Sequence, residues 1–289
     1  MSGVWWMLLA QALFALMNIG TRLGARHLPW SEVAFGRFAV GLAIASAVAA
    51  ARPGGFRIVN WKASWMRSIF GTLAALGTFY ALASPRLPIG DAATLSGTTP
   101  IFVALLAGPL LGERVGRGLG LAVLLAFVGV AIIVQPSFGA ALDVALLATL
   151  AAFSFALALL TLRRMGPFES PEAIVVHFSA VAAITMLAVS IPVFRVPDSD
   201  ELMIVLGTGL AGGLAQLAMT RAYAHLEATR ATALAYAQVL FTFLLAALLF
   251  DEPITPLRLI GAGCVGVGGW MATRRNGRAP KDPPVATEQ

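Results

Sequence analysis

Few side chains here could do chemistry, because only 12% of the 289 residues are charged while 58% are hydrophobic. Arg37 and His177 stand out first, since each lies about one turn inside a long apolar run. An ionisable group is costly in lipid and marks a substrate contact or a gate. The alternative is snorkelling toward water, or a hydrogen bond between helices.

A second set is uncharged. Met7, Gln11, Phe14 and Asn18 follow i, i+4, i+7, i+11 spacing and would share one stripe of a helix, where Gln11 and Asn18 can recognise a zwitterion without burying a charge. Thr208, Gly212, Gln216 and Thr220 recur every four residues; the glycines read as close helix packing and Gln216 as a ligand contact. Thr232, Tyr236, Val239 and Phe243 share another face, Tyr80 adjoins Phe79, and Thr94, Thr98 and Ser154 add hydroxyls. Amides, rings and hydroxyls around an apolar cavity suit a small, partly hydrophobic ligand. Pro100, inside the fourth apolar run, removes a backbone donor and predicts a hinge. The candidate binding residues are Gln11, Phe14, Asn18, Tyr80, Thr98, Ser154, Gln216 and Tyr236; the candidate gating or hinge residues are Arg37, Pro100 and His177.

These positions need apolar helices to hold them. A helix that crosses a bilayer takes about 20 residues. Cutting the chain at charge, Pro and Gly clusters leaves ten stretches, roughly Val4 to Thr21, Val33 to Ala50, Met66 to Ala83, Ala92 to Leu111, Gly118 to Val134, Ala141 to Leu160, Ile174 to Phe194, Leu202 to Ala222, Ala231 to Phe250 and Leu257 to Thr273. Irregular backbone cannot face lipid, so with a mean hydropathy of +0.84 the chain reads as an all-α integral membrane protein of ten transmembrane helices. Met1 to Gly20 lacks the basic start and cleavage site of a secretory signal and reads as a retained first helix.

Lys and Arg fall between the apolar runs and in the tail. With both termini cytoplasmic, fourteen lie inside, Arg67 among them, and five outside, Arg37 being intramembrane; that bias predicts the orientation in a bacterial-type inner membrane. The net charge of +6 is therefore a topology signal and calls for no nucleic acid. Asp91 and Asp143 stand at helix starts, where a carboxylate complements the dipole, and Trp5, Trp6, Trp61 and Trp65 read as interface anchors.

Several classes are disfavoured. The lone Cys264 forms no disulfide within the chain. No His-Glu-x-x-His, Gly-x-Ser-x-Gly or phosphate-binding Lys loop is present, so neither metal nor cofactor is expected, and an intramembrane enzyme acting on a lipid or hydrophobic metabolite is the weaker alternative. Lys62 and Lys281, the only lysines, lie outside the runs and cannot anchor retinal. A channel would need a carbonyl filter or rings of charge. With no Lys or Arg deep in a helix, phosphorylated substrates lack a cationic partner, which leaves a neutral or zwitterionic ligand.

An internal repeat organises the whole. Glu32 with Arg37-Phe38 matches Glu172 with His177-Phe178 at an offset of 140, and Leu87 to Glu113 aligns with Leu226 to Glu252 at 139. Five helices per copy force the second copy to enter from the opposite side. Residues 1–138 form the first repeat (helices 1–5), 139–276 the second (helices 6–10), and 277–289 a cytoplasmic tail. Two inverted repeats place a site near the midplane and alternate access to it by rocking, and a monomer suffices.

These residues resemble the drug/metabolite transporter superfamily, specifically its ten-helix EamA family. The likeness spans nearly the whole chain and rests on Glu32-x4-Arg37-Phe38, Tyr80-Ala81-Leu82, Gly90 to Ala93, Ser96 to Pro100, Leu-Leu-Gly-Glu at 110 to 113, Ala222-Tyr223, Ala228 to Ala231, Glu252-Pro253 and Gly261 to Gly268. It implies a secondary transporter exporting amino acids or other small metabolites, with the aromatic amino acid exporters as one branch. The superfamily's four-helix multidrug exporters carry a proton-exchanging glutamate in helix 1; here that helix has Gln11 and Asn18 instead.

Overall fold

The computed structural model describes residues 3–84, 86, 95–113, 115–135, 142–166, 168–250 and 254–273. The Gly90 to Ala93 step, Asp91, Thr94, the Glu252-Pro253 helix end and the 277–289 tail lie outside them.

All regular structure among the described residues is helical: α1 (Gly3–Gly24), α2 (Trp30–Ala50), α3 (Trp61–Ala83), α4 (Thr99–Leu111), α5 (Arg117–Val134), α6 (Leu142–Met165), α7 (Pro171–Ser190) with a 3-10 turn (Ile191–Val193), α8 (Ser199–His225), α9 (Ala228–Ala235), α10 (Ala237–Phe250) and α11 (Pro256–Thr273). Seven spans are long and apolar enough to cross a membrane, with α9 and α10 joined as one, Ala228–Leu249. The more polar α3, the short α4 and α11 complete ten crossings.

Local chemistry sets the helix ends. The Asn60 side chain accepts from Ala63 N–H at 2.9 Å to start α3, Ser170 caps α7 ahead of Pro171, and Asp198 with Glu201 makes a capping box for α8. Gly112, with φ of +70°, stops α4 in the left-handed conformation that glycine adopts at little cost.

Two predicted features shift. Pro100 lies in the first turn of α4, directly after the break at Gly97 and Thr98, rather than inside the helix; there the missing N–H is one that no helix could satisfy. The ninth stretch, expected as one helix, instead breaks at Tyr236.

Packing shows the repeat as a two-fold relation. α1 packs on α8 as α6 packs on α3; α2 packs on α8 as α7 packs on α3; α4 packs on α6 as α10 packs on α1. The pairs α2–α7 and α5–α11 each contact their own counterpart. In α5–α11 the backbones touch: a Cβ at Gly129 would lie 2.6 Å from the Gly261 carbonyl oxygen, and one at Gly268 would lie 2.7 Å from that of Ala122. These two contacts are exchanged by the 139-residue offset, as an inverted repeat requires.

Candidate functional site

Equivalent residues of the two repeats meet twice in the interior. The first meeting joins the helix breaks. Gly97, just before α4, and Tyr236, between α9 and α10, are 139 residues apart, and the Tyr236 hydroxyl donates to the Gly97 carbonyl at 2.7 Å. Thr98 turns its hydroxyl back to the Leu95 carbonyl at 2.6 Å. Tyr236 itself is sunk in the apolar cluster of α5 and α11, with Ala126, Val130 and Val265.

The second meeting joins α2 and α7. Phe38 and Phe178, 140 residues apart, stack edge to face with centroids 5.5 Å apart. A guanidinium flanks each ring: that of Arg37 is 4.2 Å from the centroid of Phe38, and that of Arg67 is 4.2 Å from the centroid of Phe178. Arg37 Nε also donates to Met17 Sδ at 2.8 Å, in the room left by Gly212 of α8. A narrow cleft lined by Arg37, Phe38, Phe178, Ser179 and Gln216 holds about 10 Å³, the room one water molecule needs. No room for a solute is left in it.

Arg67 corrects the sequence reading. Counted among the loop cations, it lies in the second turn of α3 and is 1% exposed, so the bundle does hold a deep cation. None of its three side-chain nitrogens has a hydrogen-bond partner among the described residues. Gln216 Nε2, Ser64 Oγ, Thr72 Oγ1 and the Tyr223 hydroxyl are buried and equally unpartnered. Ser64, Arg67, Ser68 and Thr72 share one face of α3, and that i, i+3, i+4, i+8 stripe is the signal that could have revealed them. The apolar cut began the third run at Met66, which left Ser64 outside it and put Arg67 at its edge, where it was counted with the cations of the preceding loop.

The other expected residues scatter. Gln11 is buried and its amide points to Met7 Sδ at 3.0 Å, within α1; Phe14 packs in the main apolar cluster; Asn18 and Ser154 are half-buried. Tyr80 is 44% exposed and meets Trp30 edge to face at the surface, away from the centre. His177, the counterpart of Arg37, is shut off from the cleft: its Nδ1 is 2.7 Å from Ser68 Oγ, and Trp61 and Trp65 stack on it. A larger concavity of about 460 Å³ between α1 and α8 is lined by Leu13, Leu16, Leu210 and Leu214, an apolar groove on the outer surface.

Ion pairs tie both ends of the bundle. The buried Glu172 at the start of α7 receives Arg52 at 3.0 Å and Arg221 at 2.5 Å. Its counterpart Glu32 accepts from Arg195 N–H at 3.0 Å, and Arg195 also pairs with Glu201. In the loop after α4, burial raises the Glu113 carboxyl above its ordinary value, although Ala228 N–H at 2.9 Å and Arg163 at 3.1 Å bind it.

Two inverted five-helix halves that meet at a narrow polar centre are the architecture of secondary membrane transporters. The chain belongs to the EamA-like transporter family, whose model matches residues 1–135 and again 143–274. It is similar to the pseudopaline exporter of Pseudomonas aeruginosa, 29% identical over 83% of this chain and 84% of that one. It is likewise similar to the riboflavin transporter of Vibrio cholerae, 27% identical over 79% and 78%, and to the S-adenosylmethionine uptake transporter of Rickettsia prowazekii, 21% identical over 87% and 85%. A protein crystal structure covering 94% of this chain and 96% of its own superposes with a TM-score of 0.82 at 18% identity, which establishes the fold alone. The protein is thus a multi-pass transporter of a small molecule and not an enzyme.

Proposed function

We propose that this transporter exports small zwitterionic or neutral metabolites, amino acids foremost and aromatic ones in particular, across a bacterial inner membrane. Residues 1–138 and 139–276 act as the two repeats, the termini and the 277–289 tail are cytoplasmic, and one chain is sufficient. The halves rock about the Phe38–Phe178 contact, so that the centre opens to one side at a time. The observation that carries this reading is the narrow cleft between the repeats, where an unpartnered amide, Gln216, and a cation, Arg37, face a pair of rings. Those groups match the carboxylate, ammonium and side chain of an amino acid. Export follows the pseudopaline exporter, which is more similar than the uptake transporter, at 29% against 21% identity.

The test is uptake of a labelled panel of neutral and aromatic amino acids by proteoliposomes holding the purified protein, against protein-free vesicles. Saturable uptake of one class is expected. Folded protein that moves none of them would overturn the amino-acid reading.

A further inference from the structure

Arg67 is a buried cation without an anion. Moving an ion out of water costs several kcal/mol even after the protein relaxes. Against that cost the chain sets one ring, Phe178, and a cation–π contact contributes about 2 kcal/mol when desolvated. No carboxylate among the described residues lies within ion-pair distance of Arg67. A second cation, Arg37, lies against the other ring of the Phe38–Phe178 pair. Hydroxyls on the same face of α3 are also unfinished: Ser64 Oγ and Thr72 Oγ1 have no partner among the described residues, and both residues are at least nine-tenths buried.

The guanidinium is held in place rather than stray. A Cβ at Gly71 would fall 2.2 Å from Arg67 Nη1, so the side chain occupies the space that Gly71 leaves one turn further along α3. A planar fork fixed between a glycine and a ring, with free hydroxyl donors beside it, is the arrangement that receives a carboxylate in two parallel hydrogen bonds.

We propose that Arg67 binds a carboxylate of the transported solute, so that the substrate class is carboxylate-bearing and the substrate itself completes the buried charge. The proposal rests on the transport reading above and adds the group that the protein recognises. Arg37, on the far side of the Phe38–Phe178 pair, is a second cation toward which that carboxylate moves when the rings part.

The test needs no knowledge of the natural solute. Thermal unfolding of the purified full chain in detergent is followed with benzoate or benzamide at equal concentration and ionic strength. Benzoate should raise the midpoint and benzamide should not. Arg67→Met should melt no lower than the parent without ligand, because an unpaired buried charge has gone, and should lose the benzoate response. Equal responses to the two probes, or an undiminished benzoate response in Arg67→Met, would overturn the site; so would a large loss of stability in that variant, which would make Arg67 structural.

Arg67→Lys keeps the charge and guards against a variant that fails to fold. Without the fork, half-maximal stabilisation should need about tenfold more benzoate, and an unchanged requirement would overturn the proposal. Amino-acid uptake by vesicles separates the two readings. Uptake without a benzoate response removes the site and leaves the transport reading, whereas an Arg67-dependent response without such uptake supports the site and removes the amino-acid reading.

Discussion

The two places where equivalent residues meet are finished in opposite ways. At Gly97–Tyr236 the freed carbonyl is taken by a hydroxyl at 2.7 Å and the ring is sunk in apolar side chains. At Phe38–Phe178 the rings also meet, but the polar atoms around them, on Arg67 and Gln216, are left without partners among the described residues. A buried polar group without a partner costs about 1–3 kcal/mol, and native interiors keep few of them. The first contact is therefore complete as architecture, and the second is the place where the proposed solute would supply the missing partners. Arg37 and His177 repeat the lesson at equivalent positions. His177 is bonded to Ser68 and enclosed by two Trp rings, while Arg37 opens on the cleft.

The largest effect should come from the architecture beneath Tyr236. Gly129→Leu puts a side chain where a Cβ alone would meet the Gly261 carbonyl oxygen at 2.6 Å, so α5 and α11 must separate. Overpacking of this kind costs about 1–3 kcal/mol or more, and the melting midpoint in detergent should fall sharply, with transport lost along with the fold. A midpoint equal to the parent's would show that the α5–α11 contact is not the rigid half of the comparison.

Next in size is Tyr236→Phe, which removes only the hydroxyl that holds Gly97. The expected loss is about 1 kcal/mol of stability, with uptake by proteoliposomes retained. Uptake abolished at unchanged stability would move Tyr236 from architecture to recognition.

The helices and the repeat were legible in the sequence because both are local properties: apolar length, and residue types recurring at offsets of 139 and 140. Even the pairing of Gly97 with Tyr236 was implicit, since both lie in the aligned segments 87–113 and 226–252. That they touch was not, because an alignment equates positions without saying which of them lie on the axis. Arg67 was misread for a physical reason. Hydropathy marks where a helix can face lipid, and the polar second turn of α3 is covered by protein, against Phe178. Tyr80 shows the converse: an aromatic on an apolar helix has the same sequence signature whether it faces a cavity or, as here, the outer surface. The break at Tyr236 left no trace, since Ala and Leu on both sides of it favour an unbroken helix.

Gln216→Ala should change stability least and bears most directly on recognition. Its Nε2 donates to nothing, so truncation removes a buried donor whose desolvation is already uncompensated, and the midpoint should move by less than about 0.5 kcal/mol-equivalent. Gln11 makes the contrasting control, because its amide is engaged with Met7 Sδ and it does not line the cleft. If the centre binds substrate through its unpartnered groups, Gln216→Ala should raise the substrate concentration for half-maximal uptake about tenfold, as expected when a hydrogen bond of roughly 1.4 kcal/mol to a charged ligand is lost. Gln11→Ala should leave that concentration unchanged. The opposite ranking would place the solute against α1, and the unpartnered atoms at Phe38–Phe178 would then need another explanation than a ligand. Equal and full uptake by both variants would separate burial without partners from binding altogether, and with it the difference drawn between the two contacts.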